Sequence, residues 1–158
     1  MVIVNINIEN GSSFNFKAEY EQILSNLQTY FKLKDKEISV DVSIVNNRKI
    51  KKLNREYRQK DYATDILSFD FGDKSLYKSM PFLPLGELVI SHEKVEEQAK
   101  EFGHSLRREY CYLYAHGLIH LMGYDHEVEN ERIEMNKIVD AIFDPLNITR
   151  EEQEWLKN

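Results

Sequence analysis

Residues 116–126, His-Gly-Leu-Ile-His-Leu-Met-Gly-Tyr-Asp-His, hold three of the five histidines of this 158-residue chain. On a helix, His116 and His120 lie four apart, project the same way and have Cβ atoms about 5–6 Å from each other. Two imidazoles so placed can meet one ion at Zn–N distances of about 2.0–2.1 Å. A third ligand cannot come from the same helix, because the next position sharing that face is too far along the axis. Gly123 offers a way back: a left-handed conformation there ends the helix and turns the chain so that His126 swings toward the other two. With five histidines in the composition, the full pattern arises by chance on the order of 2 × 10⁻⁴ times, so a metal centre is the better account of it.

Three ligands differ in consequence from four. A structural zinc is normally closed by four side chains, whereas three histidines keep a position for water. Cys111 lies five residues before His116 and projects from a different helical face, so it does not close the site. Binding to one Zn²⁺ ion lowers the pKa of water from 15.7 to about 7, giving a nucleophile at neutral pH. The spacing H-x-x-x-H-x-x-G-x-x-H is that of the metzincin peptidases, which makes a zinc peptidase or other amide hydrolase an alternative. Those enzymes carry a glutamate directly after the first histidine as general base, and here that position is Gly117.

A second feature lies upstream. Arg48, Lys49, Lys51, Lys52, Arg55, Arg58 and Lys60 form a basic cluster in a chain with 21 basic and 27 acidic residues and a net charge of -6. The outward members read as a solvated helix face. Arg58, at the end of the predicted helix, is more pointed. A guanidinium beside an activated water suits hydrolysis of a phosphodiester, where charge grows on the phosphoryl oxygens in the transition state. Cations lining a groove to the metal would hold a nucleic-acid backbone, and Tyr57 and Tyr62 could stack on unpaired bases. The overall acidity excludes a protein that coats nucleic acid without specificity.

The elements that must carry these residues follow from periodicity. Val2, Val4, Ile6 and Ile8 alternate as one face of a strand, and Ile38, Val40, Val42 and Ile44 repeat the pattern in the clearest strand of the chain. Residues 16–32 and 47–58 carry helical stripes. "DILSFDF" and "GELVIS" read as two more strands, separated by "GDKSLYKSMPFLPL" as a long irregular loop at an edge. Ser91 caps a helix over 92–102 that Gly103 ends, and Ser105 caps the next, over 106–121. Further helices are expected at 128–142 and after Thr149, where Glu152 completes a capping box. The fold class is therefore α+β: one domain over 1–158, a small mixed sheet of about four strands packed with five to six helices, the metal site on a helix and the turn after it. No apolar run reaches the roughly 20 residues a bilayer requires, and the amino terminus lacks the features of a secretory signal. With a single cysteine as well, the expectation is a cytoplasmic protein with no membrane partner.

"HGLIHLMGYDH", with "NREYRQKDYATDILSF" upstream and "LGELVIS" between, resembles the YbeY family of bacterial metal-dependent endoribonucleases, or rRNA maturation factors, over about residues 45–130. That resemblance implies the same α+β fold, with His116, His120 and His126 as the zinc ligands and Arg58 as the arginine essential for activity. It implies processing of ribosomal RNA, notably the 3′ end of the small-subunit rRNA, a part in ribosome quality control and a preference for single-stranded RNA. Ribosomal RNA and the ribosome or small-subunit assembly proteins are then the partners. A non-catalytic assembly factor with a structural metal is a further alternative. The family usually has proline at Ala63 and at Asp70, and aspartate at Glu87; these departures touch loop rigidity and one carboxylate, and none of the ligands.

Asp61, Asp65, Glu87 and Asp125 are the candidate proton-transfer carboxylates, unranked by sequence. Asp125 could also orient a ligand histidine. Ser68 and Thr64 could contact a phosphate. Glu109 shares the face of His116 but lies seven residues back, about 10.5 Å along the axis, too far to be a ligand. His92 and His104 read as polar residues at helix starts, and Cys111 as a small core residue.

Overall fold

The alternating segment Glu37–Val45 (β2) buries Ile38, Val40, Val42 and Ile44 and lies inside a four-stranded sheet. Val2–Ile8 (β1) flanks it in parallel. On its other side Phe82–Ser91 (β4) also runs parallel, and Ile66–Asp70 (β3) closes the sheet antiparallel to β4, giving the order β1-β2-β4-β3. This computed structural model describes residues 1–9, 11–125 and 127–149. Five α-helices are present among them: Lys17–Tyr30 (α1), Asn47–Arg58 (α2), His92–Phe102 (α3), Leu106–Leu121 (α4) and Glu129–Phe143 (α5). The helix expected after Thr149 lies outside the described residues.

The sheet is covered on both faces. Helices α1, α4 and α5 share the larger core with one face, where Tyr20 and Tyr114 stack at 3.7 Å between ring centroids and 7° between planes. Both hydroxyls are satisfied: Tyr20 donates to the Tyr110 carbonyl at 2.9 Å and Tyr114 to the Tyr20 carbonyl at 3.0 Å. Burial of a tyrosine needs such partners, since an unmet polar group in the interior costs about 1–3 kcal/mol. On the other face α2 lays Ile50 against Leu67 and Val89.

The helix termini follow the sequence. The Ser91 hydroxyl accepts from the Lys94 amide at 3.3 Å, that of Ser105 from the Arg108 amide at 3.0 Å, and Gly103 ends α3 with a φ of 69°. Two expectations are corrected. Ile8, assigned to the inward face of β1, is 47% exposed, because β1 is an edge strand and the helical layer does not reach its end. The expected irregular loop is shorter than its composition suggests. It holds a 3₁₀ turn, Lys74–Tyr77, and β4 begins already at Phe82. Pro84 is tolerated inside β4 because β3 pairs only from Gly86 onward, leaving that flank of Pro84 without a ladder partner, and the ladder to β2 shifts between Ser39 and Asp41.

Two glycines set how closely the layers approach. Gly86 has a φ of 144°, and a side chain there would overlap the Phe69 carbonyl oxygen on β3. At Gly117 on α4, an added Cβ would lie 2.8 Å from Ile66 Cδ1 and 2.9 Å from Leu88 Cδ2. The first obstruction is backbone and the second is the movable tips of side chains. Gly86→Ala should therefore destabilise by roughly 3 kcal/mol or more, and Gly117→Ala by about 1–3 kcal/mol less the gain in helix propensity. In thermal melts the Gly86 variant should fall further, by roughly 6–12 °C; equal melting of the two would refute the ranking.

Candidate metal centre

Helix α4 lies on the sheet at Gly117, next to Ile66 of β3 and Leu88 of β4. That contact turns His116 and His120, both half-buried, toward the outer side of β3. Their ring centroids are 5.0 Å apart. The Nδ1 of His120 lies 3.0 Å from the Tyr124 carbonyl oxygen. A carbonyl can only accept, so Nδ1 carries the proton and the lone pair is on Nε2, the arrangement usual for a metal-ligating histidine. The carbonyl comes within reach because Gly123 adopts a φ of 99° and its amide bonds back to the His120 carbonyl at 2.9 Å, reversing the chain as its sequence position anticipated. His126 falls outside the described residues, and among the described residues no three His, Cys, Asp or Glu side chains gather to hold an ion.

The two histidines open on a cavity of 560 Å³. Its opposite wall comes from the end of α2, the segment leading into β3 and β3 itself: Arg58, Lys60, Tyr62, Thr64, Asp65 and Ser68. Arg58 arrives there by crossing the free edge of β3. Its guanidinium donates to the Ser68 carbonyl at 2.5 Å and lies 5.3 Å from the centre of the Phe69 ring. The bond satisfies a carbonyl that an edge strand would otherwise present to a foreign strand. Left-handed Gln59, with φ 58°, turns the chain after α2. Below it, buried Asn54 donates to the Tyr62 carbonyl at 2.9 Å and pins the loop.

The candidates from sequence are thus sorted by position. Arg58, Lys60, Tyr62, Thr64, Asp65 and Ser68 line the cavity with His116 and His120. Of the four carboxylates, Asp65 alone does so among the described residues, where Gln98 donates to it at 3.3 Å. Asp61 is exposed, and Asp125 borders a different cleft with Tyr124 and Glu131. Glu87, with Tyr57 and Lys49, lines a groove on the opposite face of the sheet, where the Ser43 hydroxyl donates to it at 3.2 Å. The strand's two-residue period explains the division, since Leu88 faces α4 and its neighbours face α2. His92 pairs with Glu9 and Glu96 at 3.8 and 3.6 Å, and Cys111 is fully buried. Asn54 and Tyr112 border the cavity and were not singled out from sequence. The one signal for Asn54 was a polar residue following Ile50 and Leu53 on the apolar stripe of α2.

The packing at Gly117 weighs against the peptidase alternative: the metzincin base is absent from that position, and a side chain there would press on the tips of Ile66 and Leu88.

The family model described as Endoribonuclease YbeY matches residues 4–147. The chain belongs to the YbeY endoribonuclease family. It is 53% identical over 148 residues to Endoribonuclease YbeY of Mycoplasmopsis synoviae, covering 94% of this chain and 95% of that one. It is 45% identical over 150 residues to Endoribonuclease YbeY of Mycoplasmopsis pulmonis, covering 95% and 100%. The solution structure of a Thermotoga maritima protein is similar over 98% of this chain and 97% of its own, with a TM-score of 0.61 and 25% identity. The α+β architecture and the hydrolase class that the YbeY motifs implied are therefore those of the family. None of the helices among the described residues is long and apolar enough to cross a membrane.

Further along α4, burial holds the Glu109 carboxyl above its usual range; His104, 3.5 Å away, pulls it down and the charge of Asp65 pushes it up, with the upward effect prevailing. A carboxyl with a folded pKa above its unfolded value weakens the fold as pH rises through that interval. Glu109→Gln should therefore melt higher than the parent at pH 7, the difference vanishing below about pH 4, where both side chains are neutral. A melting series against pH that shows the reverse trend would refute this account of Glu109.

Proposed function

We propose that this chain, as a single domain over residues 1–158, is a zinc-dependent, single-strand-preferring endoribonuclease that matures ribosomal RNA, including the 3′ end of the small-subunit rRNA, and serves ribosome quality control. The observation carrying this reading is the shared cavity: imidazoles of α4 on one wall and Arg58 of α2 on the other. His116, His120 and His126 would hold the ion. The donor set fits, since two imidazoles are on one helical face and the tautomer of His120 is fixed by the Tyr124 carbonyl. What a bound zinc supplies is a water acidified to a pKa of about 7.

The chain's own groups do the rest. Arg58, anchored on Ser68 through Nη2, presents the remainder of its guanidinium to a phosphodiester and stabilises the charge that builds on its oxygens. Lys60 adds positive charge beside it. Tyr62, 54% exposed, offers a ring for an unpaired base, which suits single strands. Asp65, an acceptor at the cavity wall, is positioned for proton transfer. The other cations of α2 add a local positive field within an acidic molecule. Ribosomal RNA is the substrate, ribosome or small-subunit assembly proteins are the expected partners, and a reducing cytoplasm fits the single cysteine.

Metal analysis and cleavage of a labelled ribosomal RNA fragment test this together. His116→Ala and His120→Ala should lose the metal and the cleavage, whereas Arg58→Glu should keep the metal and lose at least about 10²-fold in rate. Metal-free protein that cleaves as well as the loaded form, or an Arg58→Glu variant matching the parent, would overturn the reading.

A further inference from the structure

A second cavity, of 500 Å³, adjoins the first along α4. Phe102, His104, Arg108, Glu109, Tyr112 and Asp140 line it, and Tyr112 also borders the histidine cavity. We propose that this second cavity is a nucleobase subsite for guanine, its Watson–Crick edge turned to the Glu109 carboxylate, taking a base of the same strand that is cleaved next door. The proposal rests on the ribonuclease reading above.

Distance is the first argument. Glu109 precedes His116 by seven residues on the same face, about 10.5 Å along the axis. That is beyond the coordination reach of an ion at His116 but within the span of a nucleotide flanking the scissile bond. Charge is the second. Arg58 and Lys60 make one wall of the histidine cavity cationic, suited to phosphates. The neighbouring cavity carries two carboxylates, Glu109 and Asp140, which repel phosphates and accept hydrogen bonds. Its arginine lies against the aromatic wall, with the Arg108 guanidinium 5.2 Å from the centre of the Phe143 ring and 6.0 Å from that of Tyr112 and donating to the Ile148 carbonyl at 2.5 Å, and its charge favours the ionised, hydrogen-bond-accepting form of both carboxylates. Backbone on one side and base on the other is how a single strand would lie across the two.

The chemistry of the bases narrows the choice. The Glu109 carboxylate offers two acceptor oxygens side by side; Oε1 lies 3.5 Å from His104 Nδ1, and each oxygen has a second lone pair for a base. Guanine presents two adjacent donors, N1–H and the N2 amino group. Adenine and cytosine place a ring acceptor next to their amino group, and uracil flanks its one donor with two carbonyls. Phe102, 59% exposed and 6.0 Å from the His104 ring, supplies a face for stacking.

The test uses the metal-loaded full chain and uridine oligoribonucleotides with one guanosine or one inosine walked through the positions flanking the cleaved bond. Inosine keeps N1–H and lacks the N2 amino group. Cleavage rates are measured, and binding of hydrolysis-resistant phosphorothioate copies is followed by fluorescence anisotropy. At one flanking position guanosine should exceed inosine by about tenfold in both readouts. Glu109→Gln should bring that ratio close to one, and Asp140→Asn should move it the same way; if Glu109→Gln does not fold, Asp140→Asn carries the comparison. A ratio of one at every position in the parent, or a ratio that survives in the variants, would overturn the subsite. Metal-dependent cleavage without any guanosine preference leaves the ribonuclease reading standing and removes the subsite. If no oligomer is cleaved, the ribonuclease reading fails and the anisotropy ratio alone decides the subsite.

Discussion

Helix α4 approaches the sheet as closely as it does because residue 117 has no side chain. The space a Cβ would need is filled by Ile66 Cδ1 and Leu88 Cδ2, so helix and sheet meet at the position directly after His116. That contact fixes the rotation of α4 about its axis, and the rotation decides that His116 and His120 face the outer edge of β3 while Tyr114, Leu118 and Leu121 face the core. A metal centre assembled from one helix inherits its precision from whatever fixes that helix, and close packing allows little slack. The same contact separates this chain from the peptidases that share its histidine spacing: the residue that would be their base is here the point of contact between layers.

The opposite wall depends on a different constraint. An edge strand leaves carbonyls without ladder partners, and β3 is such an edge. Arg58 meets the Ser68 carbonyl, which ties the end of α2 to the strand bordering the histidines. One guanidinium nitrogen is used for structure, and the planar fork leaves other donors for a ligand. Lysine could make the first bond but has no fixed second direction. The arginine is therefore specified twice, by the fold and by the charge of a phosphodiester.

Much of this was legible in the sequence, and the reasons are local. Ser91, Gly103, Ser105 and Gly123 act on backbone amides and dihedrals within a few residues, so their roles can be read from position along the chain. The four-residue spacing of His116 and His120 places them on one face whatever lies around them. Illegible were the features made by long-range pairing. Nothing local shows that Pro84 stands in a strand whose flank is unpaired, that Asn54 reaches back to Tyr62, or that Gln59 takes a left-handed turn without glycine. The four carboxylates illustrate the limit most sharply. Sequence could not rank Asp61, Asp65, Glu87 and Asp125, because the ranking depends on which cleft the folded chain brings each one to.

That dependence on position bears on the three departures that the YbeY motifs led us to expect. Glu87, where the resemblance implied aspartate, points to the α2 side with Ser43, in a groove remote from the histidines. Ala63 packs against the Ile50, Leu67 and Val89 cluster on that same side. Asp70, at the end of β3, accepts from the Gly72 amide at 3.3 Å in the turn that follows. All three therefore lie on the far side of the sheet or at the end of β3, away from His116 and His120. A sheet covered on both faces separates two sets of constraints: the α4 side and the end of α2 that carries Arg58 are held by the histidine cavity, and the groove around Glu87 and Ser43 lies apart from it.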